Sequence, residues 1–273
     1  MRIAHLPADG TPDRPVPSGG LSTARRVDVV GVAVDTLTMA EVVETILRWT
    51  DSTTVHVAVG VNADVCNQAA ADRVLCGVLA SADLTYADGQ SIVWAARFLG
   101  RIIPERVATT DLIYPLSAAC AQQGKKLFLY GGQAGVAERA AARLAAGSPG
   151  LLIDTHDGFV LEQHMDRLVR EINESGADIL LVGLGDPLQQ RWVSSHRSEL
   201  TVPVVLTCGG LFDWTSGAHR RAPAWMIGAG LEWLWRLMIE PRRLAKRYLL
   251  GNPAFLLRLG LEILRNHRRA TVS

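Results

Sequence analysis

Short runs of apolar, often β-branched residues alternate along this chain with longer segments of helical periodicity, beginning at Val27. This order is typical of an α/β fold in which helices connect the strands of a largely parallel sheet. Several runs are apolar without alternation, as expected of strands that helices cover on both faces. We therefore predict a Rossmann-like sheet. The predicted strands span residues 27–34, 54–60, 83–87, 126–131, 151–156, 178–185 and 203–209.

Helices are predicted between these strands. One begins near Thr38, where Thr38 and Glu41 have the spacing of a capping box, and it runs to Trp49. Two others span approximately residues 135–146 and 162–173. Each of the three follows a predicted strand, as helical crossovers in a parallel sheet do.

The charge of the chain is unevenly distributed. Of 273 residues with a net charge of +1, residues 219–273 hold eleven Lys and Arg against three Asp and Glu, which leaves −7 for the preceding part. The small total gives no indication of nucleic-acid binding. A basic end on an acidic body instead favours contact with an anionic surface or ligand.

Three parts follow from composition. Residues 1–25 are rich in Pro, Gly and Asp and lack the apolar segment of a signal peptide, so we expect a disordered tail. Residues 26–217 form the predicted α/β core, and residues 218–273 a basic helical appendage. Its tryptophans favour either an amphipathic helix at an anionic bilayer interface or packing against the core. They are Trp225, Trp233 and Trp235.

The four cysteines lie in apolar surroundings without a CxxC pair, which is typical of reduced core thiols in a cytosolic protein. They are Cys66, Cys76, Cys120 and Cys208. The histidines show no HExxH spacing and no DxD pair is present, so the sequence predicts no metal site. The sequence has no GxSxG motif, the elbow that would indicate a serine nucleophile.

Polar residues follow several predicted strands at the ends where parallel α/β sheets bind ligands. Asn62 and Asp64 are equally suited to capping a helix. Asp88 precedes a glycine, and this dipeptide suits either a tight turn or a catalytic base. Gln189 and Asp213 follow two later strands.

Glycine-rich turns follow three predicted strands and would allow a backbone to approach a diphosphate. Each alone is more often a tight turn, and none is a GxGxxG or a P-loop. The candidate ligand positions are Gly131, Gly132, Gly209 and Gly210.

Five blocks of the chain resemble, in order, the WecG/TagA/CpsF family of glycosyltransferases (family 26). They are YADGQSIVWAARFLG, RVATTDL, KKLFLYGGQAGVAERAAARL, ADILLVGLGDPLQQRW and GGLFDWTSGAHRRAPAWMIGAGLEWLWRLMIEPRRLAKRYL. The resemblance extends over roughly residues 27–255. It implies a metal-independent, inverting enzyme without a cofactor. Such an enzyme moves a sugar, often of N-acetylmannosamine type, from a UDP-sugar to a polyprenyl-diphosphate-linked sugar at the inner membrane face.

The resemblance also implies site residues. It makes Asp88 the general base, while helix N-termini and appendage arginines would stabilise the departing UDP. The substrate-binding residues that it implies are Asn62, Arg106, Gln189, Arg236, Arg243 and either Lys246 or Arg247. This chain departs from the family pattern at three places. Gly60 stands where Thr is common, LQQ at residues 188–190 stands where KQE is common, and Lys246 stands where the family pattern has Arg.

Two other functions compete. An NAD-type Rossmann oxidoreductase would need a GxGxxG after the first strand, which VVGVAVDTLTMAE lacks. A non-enzymatic membrane adaptor would use the basic tail but would not need polar residues at several strand ends. The sequence leaves the sugar, the acceptor glycan and the oligomeric state open, although an exposed apolar tail favours self-association.

Overall fold

The computed structural model describes residues 26–218 and 220–270, except for the side chains of residues 224, 243, 269 and 270. The predicted disorder of residues 1–25 lies outside this range. The strands are β1 (Arg26–Val29), β2 (Val32–Asp35), β3 (His56–Val61), β4 (Leu84–Ala87), β5 (Lys126–Gly131), β6 (Leu152–His156), β7 (Ile179–Gly183) and β8 (Val204–Thr207). The α-helices are α1 (Met39–Trp49), α2 (Ala63–Ala71), α3 (Arg73–Ser81), α4 (Gln90–Phe98), α5 (Thr109–Gln123), α6 (Val136–Gly147), α7 (Met165–Glu174), α8 (Leu188–His196), α9 (Leu211–Thr215), α10 (Ala224–Gly228), α11 (Glu232–Ile239) and α12 (Pro241–Ala270).

Six strands form a parallel sheet in the order β4-β3-β8-β7-β5-β6, which confirms the predicted Rossmann-like class. Helices cover both faces of the sheet. Successive residues of a strand point to opposite faces, so each strand contributes side chains to the apolar clusters on both sides. On β5, Phe128 belongs to the apolar cluster formed with α2, α4 and α8, and Leu129 to the cluster formed with α1, α5 and α6. The continuous apolar runs thus have the two buried faces that they require.

The prediction of one strand at residues 27–34 is wrong. Strands β1 and β2 form an antiparallel hairpin outside the main sheet. Val30 and Gly31 have φ angles of 55° and 81°, and the Gly31 N–H donates to Asp28 Oδ1 at 3.1 Å. Two residues of positive φ match a tight hairpin turn, but Val-Gly lacks the Asn-Gly or Asp-Gly signal by which such a turn is recognised.

The hairpin covers the outer edge of the sheet at β4. Thr85 donates its N–H to Asp35 Oδ2 at 2.8 Å and its Oγ1–H to the Ala33 carbonyl at 2.7 Å. Arg26 holds the Asp35 carboxylate from the other side, with Nε 2.9 Å from Oδ1. An edge strand exposes unpaired backbone groups, and the hairpin covers those of β4. These contacts hold β4, the strand that Asp88 follows, against the hairpin.

Two of the three predicted helix starts agree with the structure, and the third lies a few residues later than predicted. Thr38 caps α1, and the capping box with Glu41 is present, as predicted. Helix α6 begins at Val136, close to the predicted residue 135. The segment predicted to begin at residue 162 opens instead with a 3-10 turn, Glu162–His164, before α7 continues to Glu174.

Helix α12 lies against the core. Asn67 on α2 donates from Nδ2 to the Gly251 carbonyl at 2.7 Å, and Arg101 Nη1 lies 2.9 Å from Glu262 Oε1. Phe255 and Leu259 are buried in the same apolar cluster as the sheet residues. The predicted appendage therefore shares its core with the α/β part.

The appendage tryptophans occupy different environments. Trp225 is exposed, whereas Trp233 packs against Tyr248 with ring centroids 5.7 Å apart. Trp235 Nε1 donates to the Arg220 carbonyl at 2.8 Å. The partners of Trp233 and Trp235 belong to the appendage itself, and both interpretations of the tryptophan cluster stay predictions.

Three of the four cysteines are buried, as predicted, and the fourth, Cys76 on α3, is exposed. The expectation of a core thiol is wrong there. Burial raises the pKa of Cys66 to about 12, which leaves this thiol neutral and unreactive.

Candidate active site

A cavity of about 280 Å³ lies between the carboxyl ends of β3 and β4, helix α4, and the appendage helices α11 and α12. Its volume is close to the lower limit of the roughly 300–1,000 Å³ common for ligand sites. Its polar lining residues include Asn62, Asp64, Asp88, Arg106, Glu232, Arg236 and Arg247. Its apolar lining residues include Trp94, Phe98, Trp233, Phe255, Leu256 and Leu259.

The register of β3 and β4 brings Asn62 and Asp88 together. These neighbouring parallel strands end with Val61 opposite Ala87, and the Asp88 N–H donates to the Val61 carbonyl at 2.9 Å. A β-carbon at Gly89 would lie 3.0 Å from Asn62 Cβ. Glycine therefore leaves room here for the close packing of Asn62 beside the strand end.

The carboxylate of Asp88 has two different oxygens. Oδ1 accepts the backbone N–H of Thr109 at 2.7 Å and the Thr109 hydroxyl at 2.9 Å. Helix α5 has Ala108 at its N-cap and no capping side chain there, so Asp88 satisfies an N–H of its first turn. Among the described residues no group donates to Oδ2, and Asp88 is half-buried in the cavity wall. One oxygen thus fixes the side chain while the other remains available to a ligand.

An ion-pair chain joins the appendage to the core. Arg106 Nη1 lies 3.0 Å from Glu232 Oε2, and its Nη2 lies 3.2 Å from Asp111 Oδ2. Arg221 pairs with the other oxygen of Asp111 at 2.6 Å. Arg236 contacts Glu232 Oε1 through Nη2 at 2.6 Å. Three guanidinium groups share two carboxylates, so the chain retains one positive charge beside the cavity.

Glu232 is the central acid of this chain and is only 8% exposed. Burial by itself would raise the pKa of Glu232, but the guanidinium groups of Arg236 and Arg106 outweigh burial and hold that pKa below its usual range. Arg236 also lies over the ring of Trp214, 4.9 Å from the centroid. Two cations are thereby fixed at the cavity by one ionised carboxylate.

Helix α12 directs Arg247 at the strand ends. Its Nη2 donates to Asn62 Oδ1 at 3.3 Å, and its Nε lies 3.2 Å from Asp64 Oδ2. Lys246 is exposed and is not among the cavity-lining residues. The side chain of Arg243 lies outside the described residues. Of the two alternatives left by the sequence, Arg247 is the one that faces the cavity.

Gln189 lies behind the cavity and does not line it. It is buried, its Oε1 accepts the Gly209 N–H at 2.8 Å, and its Nε2 donates to Asp186 Oδ1 at 2.8 Å. Gln190 Nε2 donates to the same oxygen at 2.5 Å. Asp186 is half-buried, and desolvation of its carboxyl by the surrounding protein raises its pKa. Gln189 thereby connects this acid to the turn after β8.

The glycine turns pack mainly against one another. A β-carbon at Gly131 would lie 2.3 Å from the Gly183 carbonyl oxygen, and one at Gly183 would lie 2.7 Å from the Phe212 ring. Gly132 donates its N–H to the Gly183 carbonyl at 3.3 Å. A β-carbon at Gly209 would meet open space. None of these positions, nor Gly210 or Asp213, lines the cavity around Asp88.

The WecG/TagA/CpsF glycosyl transferase family model matches residues 27–269, nearly the whole described chain. The chain belongs to this family. It is 30% identical over 184 residues to an N-acetylglucosaminyldiphosphoundecaprenol N-acetyl-beta-D-mannosaminyltransferase of Bacillus subtilis (strain 168), covering 67% of this chain and 71% of that protein. It is 26% identical over 227 residues to a protein of the same name from Staphylococcus aureus (strain NCTC 8325 / PS 47), covering 82% and 89%.

As a member of this family the protein is a glycosyltransferase, so membership excludes the oxidoreductase and adaptor alternatives. The fold brings together five of the residues that the resemblance implied. They are Asn62, Asp88, Arg106, Arg236 and Arg247. In the described part of the chain, no three His, Cys, Asp or Glu side chains cluster as metal ligands would.

Sequence reasoning missed three polar residues of the site. Thr109 lies in the RVATTDL block and Glu232 in the GLEWLW block, but neither was assigned a role. Tyr248 lines the cavity one residue after Arg247. For Glu232 the available signal was an acid placed four residues before Arg236 on a helix, the spacing of a favourable ion pair.

We expect Glu232→Gln to lower the free energy of unfolding by about 1.5 kcal/mol or more at pH 7, because Arg106 and Arg236 lose a buried charged partner. The pKa of Glu232 is lowered in the fold, so its stabilising contribution is present above the pKa of an unfolded glutamate. That contribution is lost as pH falls through the lowered pKa. Urea unfolding at several pH values measures the difference.

Glu44→Gln, an exposed position on α1, is the matched control and should change stability little. A difference between wild type and Glu232→Gln that persists unchanged in acid would contradict the ion-pair explanation. So would equal stability of the two proteins at pH 7.

Proposed function

We propose that this glycosyltransferase moves an N-acetylmannosamine-type sugar, or a related hexose or uronic acid, from a UDP-sugar to a polyprenyl-diphosphate-linked glycan. The reaction inverts the anomeric centre, requires no metal ion and serves the synthesis of a cell-surface polysaccharide. The names of the two relatives support the sugar and the lipid-linked acceptor. The observation that carries the proposal is the Asp88 carboxylate, which is held through Oδ1 and lies in the wall of a cavity that arginines also line.

In this reaction Asp88 is the general base. Its Oδ2 accepts the proton of the acceptor hydroxyl while that hydroxyl oxygen forms a bond to the anomeric carbon. The bond from the anomeric carbon to the diphosphate oxygen breaks on the opposite side, and UDP leaves with the electron pair. One displacement therefore needs one base. Of the described carboxylates that line the cavity, Asp64 and Glu232 pair with arginines, which leaves Asp88 for this role.

The departing UDP requires positive charge, and three arginines among the described residues line the cavity: Arg106, Arg236 and Arg247. Guanidinium groups bind phosphate oxygens in bidentate geometry, which suits a diphosphate. Glu232 forms ion pairs with Arg106 and Arg236, and Asp64 forms one with Arg247. A diphosphate would compete with these carboxylates for arginines that are already in place, so little ordering of the arginines would be required.

The apolar part of the cavity wall suits a lipid-linked acceptor. Helix α4 contributes Trp94 and Phe98, and α12 contributes Phe255, Leu256 and Leu259. Phe98 and Leu256 are also exposed at the surface. An acceptor with a sugar next to a polyprenyl diphosphate could therefore place its sugar at Asp88 and its lipid along these two helices.

We further propose that the enzyme acts at the inner face of the plasma membrane. In the described part of the chain no helix has both the length and the apolar character needed to cross a bilayer. Helix α12 carries exposed leucines at helical spacing together with exposed basic side chains, a combination that suits the surface of an anionic membrane. The leucines of this face are Leu250, Leu257, Leu261 and Leu264.

The direct test is transfer from UDP-N-acetylmannosamine to a short-chain polyprenyl-diphosphate N-acetylglucosamine. Asp88→Asn should lower kcat by a factor on the order of 10² to 10⁴, because the amide does not accept the proton. Its carbonyl oxygen still accepts the Thr109 N–H, so the variant should fold. Thermal unfolding and circular dichroism check the fold, and product formation gives kcat.

Asp88→Ala is the companion variant. It loses both the base and the cap of α5, so it should be inactive and less stable than Asp88→Asn. Turnover close to wild type in a folded Asp88→Asn protein would remove Asp88 from the mechanism.

Transfer should proceed at an unchanged rate after dialysis against EDTA, because arginine side chains supply the charge that stabilises UDP. Initial rates with and without added Mg²⁺ or Mn²⁺ measure this. A loss of activity that either cation restores would contradict the metal-free mechanism.

Binding to anionic vesicles should weaken by at least about tenfold in the double variant Leu257→Glu, Leu261→Glu, because two apolar side chains no longer enter the interface. Co-sedimentation with phosphatidylglycerol-containing vesicles measures the affinity. Val74→Glu, an exposed position on α3, is the control. Equal binding by all three proteins would argue against α12 as the membrane-facing element.

A further inference from the structure

We infer that Thr109 is the positioning residue of the general base and that Tyr86 in turn holds Thr109. Through this pair Asp88 presents Oδ2 to the acceptor hydroxyl and keeps Oδ1 away from it. The inference rests on the proposed role of Asp88 and adds two residues to the machinery. Neither residue touches the reacting atoms, so both act through Asp88.

Thr109 holds Asp88 with two donors on a single oxygen. The backbone N–H and the side-chain hydroxyl approach Oδ1 at 2.7 and 2.9 Å. A carboxylate bound in this way loses both hydrogen bonds when it rotates about its terminal torsion, which is otherwise soft. The base is therefore fixed in orientation before a substrate binds, and catalytic groups need this pre-organisation.

The directions of the hydrogen bonds follow from chemistry. An ionised Asp88 only accepts, so the single hydroxyl proton of Thr109 is donated to it. Thr109 Oγ1 lies 2.8 Å from the Tyr86 hydroxyl oxygen, and with its own proton committed it acts there as the acceptor. The chain thus runs from Tyr86 to Thr109 to Asp88, with every proton pointing towards the carboxylate.

The surroundings favour this chain. Tyr86 is 0% exposed and Thr109 is 6% exposed, so water does not compete for these hydrogen bonds. In such a medium successive hydrogen bonds polarise one another. Burial, and after it the charge of Asp88, raise the pKa of Tyr86 well above its ordinary value, so the phenol remains a donor.

The backbone of three elements positions the chain. Tyr86 lies on β4, Thr109 begins α5 and Gly60 lies on the neighbouring strand β3. A β-carbon at Gly60 would lie 3.1 Å from Asp88 Cβ, 3.1 Å from Thr109 Oγ1 and 3.2 Å from a Tyr86 ring carbon. The three side chains therefore fill the space beside Gly60, so each restricts the movement of the others.

The N-terminus of α5 adds a second contribution. Thr109 is the first residue of this 15-residue helix, so its N–H carries part of the positive end of the helix dipole. That end attracts the negative charge of the Asp88 carboxylate and helps to hold Oδ1 at the start of α5. The side chain and the backbone N–H of Thr109 thus hold the same carboxylate oxygen.

The test compares Thr109→Val with Thr109→Ser in the full-length protein. Valine matches threonine in shape but lacks the hydroxyl, so kcat should fall about tenfold, the equivalent of one hydrogen bond to a charged group. KM for the UDP-sugar should stay nearly constant, because Thr109 does not line the cavity. Serine keeps the hydroxyl and should restore kcat close to the wild-type value.

Tyr86→Phe is the second variant, and it leaves the Thr109 hydroxyl in place. We expect a smaller fall in kcat than for Thr109→Val, again with unchanged KM, because the donor is retained but less restrained. Thermal unfolding of each variant establishes that it is folded under assay conditions.

Wild-type kcat in Thr109→Val would overturn the inference, as would equal losses in Thr109→Val and Thr109→Ser. A change in KM alone would also overturn it, since it would make Thr109 part of a binding surface. Asp88→Asn separates this inference from the proposed function. If Asp88→Asn is active, the function proposed for Asp88 fails, whereas an inactive Asp88→Asn beside a fully active Thr109→Val refutes only the positioning role.

Discussion

The parallel pairing of β3 with β4 is the constraint on which the site depends. Because Val61 lies opposite Ala87, the residues that follow these strands, Asn62 and Asp88, leave the sheet side by side. The antiparallel hairpin of β1 and β2 closes the outer edge of β4 through Thr85 and so holds this end of the sheet in place. The remaining parts of the site, the start of α5 and the appendage helices, are arranged around this pair of strand ends.

The carboxylates at the cavity both position the arginines and neutralise most of their charge. Arg106 and Arg236 are held by Glu232, and Arg247 by Asp64, so the cations are in place before an anion arrives. Partly buried cations without partners would be costly, which explains why carboxylates accompany them. A diphosphate carries enough charge to compete for these groups. The arrangement therefore stabilises the docked appendage and, under the proposed function, supplies the charge that the leaving group needs.

Much of the fold could be predicted from the sequence, because two-faced burial of parallel strands leaves continuous apolar runs. The hairpin at residues 26–35 was missed because Val-Gly is a weak turn signal. Asp88 and Asn62 could be named because strand ends of a parallel sheet converge. The sequence could not predict that Gln189 is buried outside the cavity lining, or that Gly131 and Gly183 pack against each other. Glycine and glutamine occur in packing contacts as well as in binding sites, so their presence alone does not separate the two. The ligand roles of these residues stay predictions.

The sequence by itself determined the α/β class, the family and the residue types that meet at the strand ends, since each of these follows from local patterns. Only the tertiary structure decided that Arg247 and not Lys246 faces the cavity, and that Thr109 holds one oxygen of Asp88. The physical reason is geometric. Adjacent residues of a helix point about 100° apart, so the packing of α12 on the core selects which basic side chain enters. Contacts between segments distant in sequence likewise exist only once the sheet, α5 and the appendage have packed together.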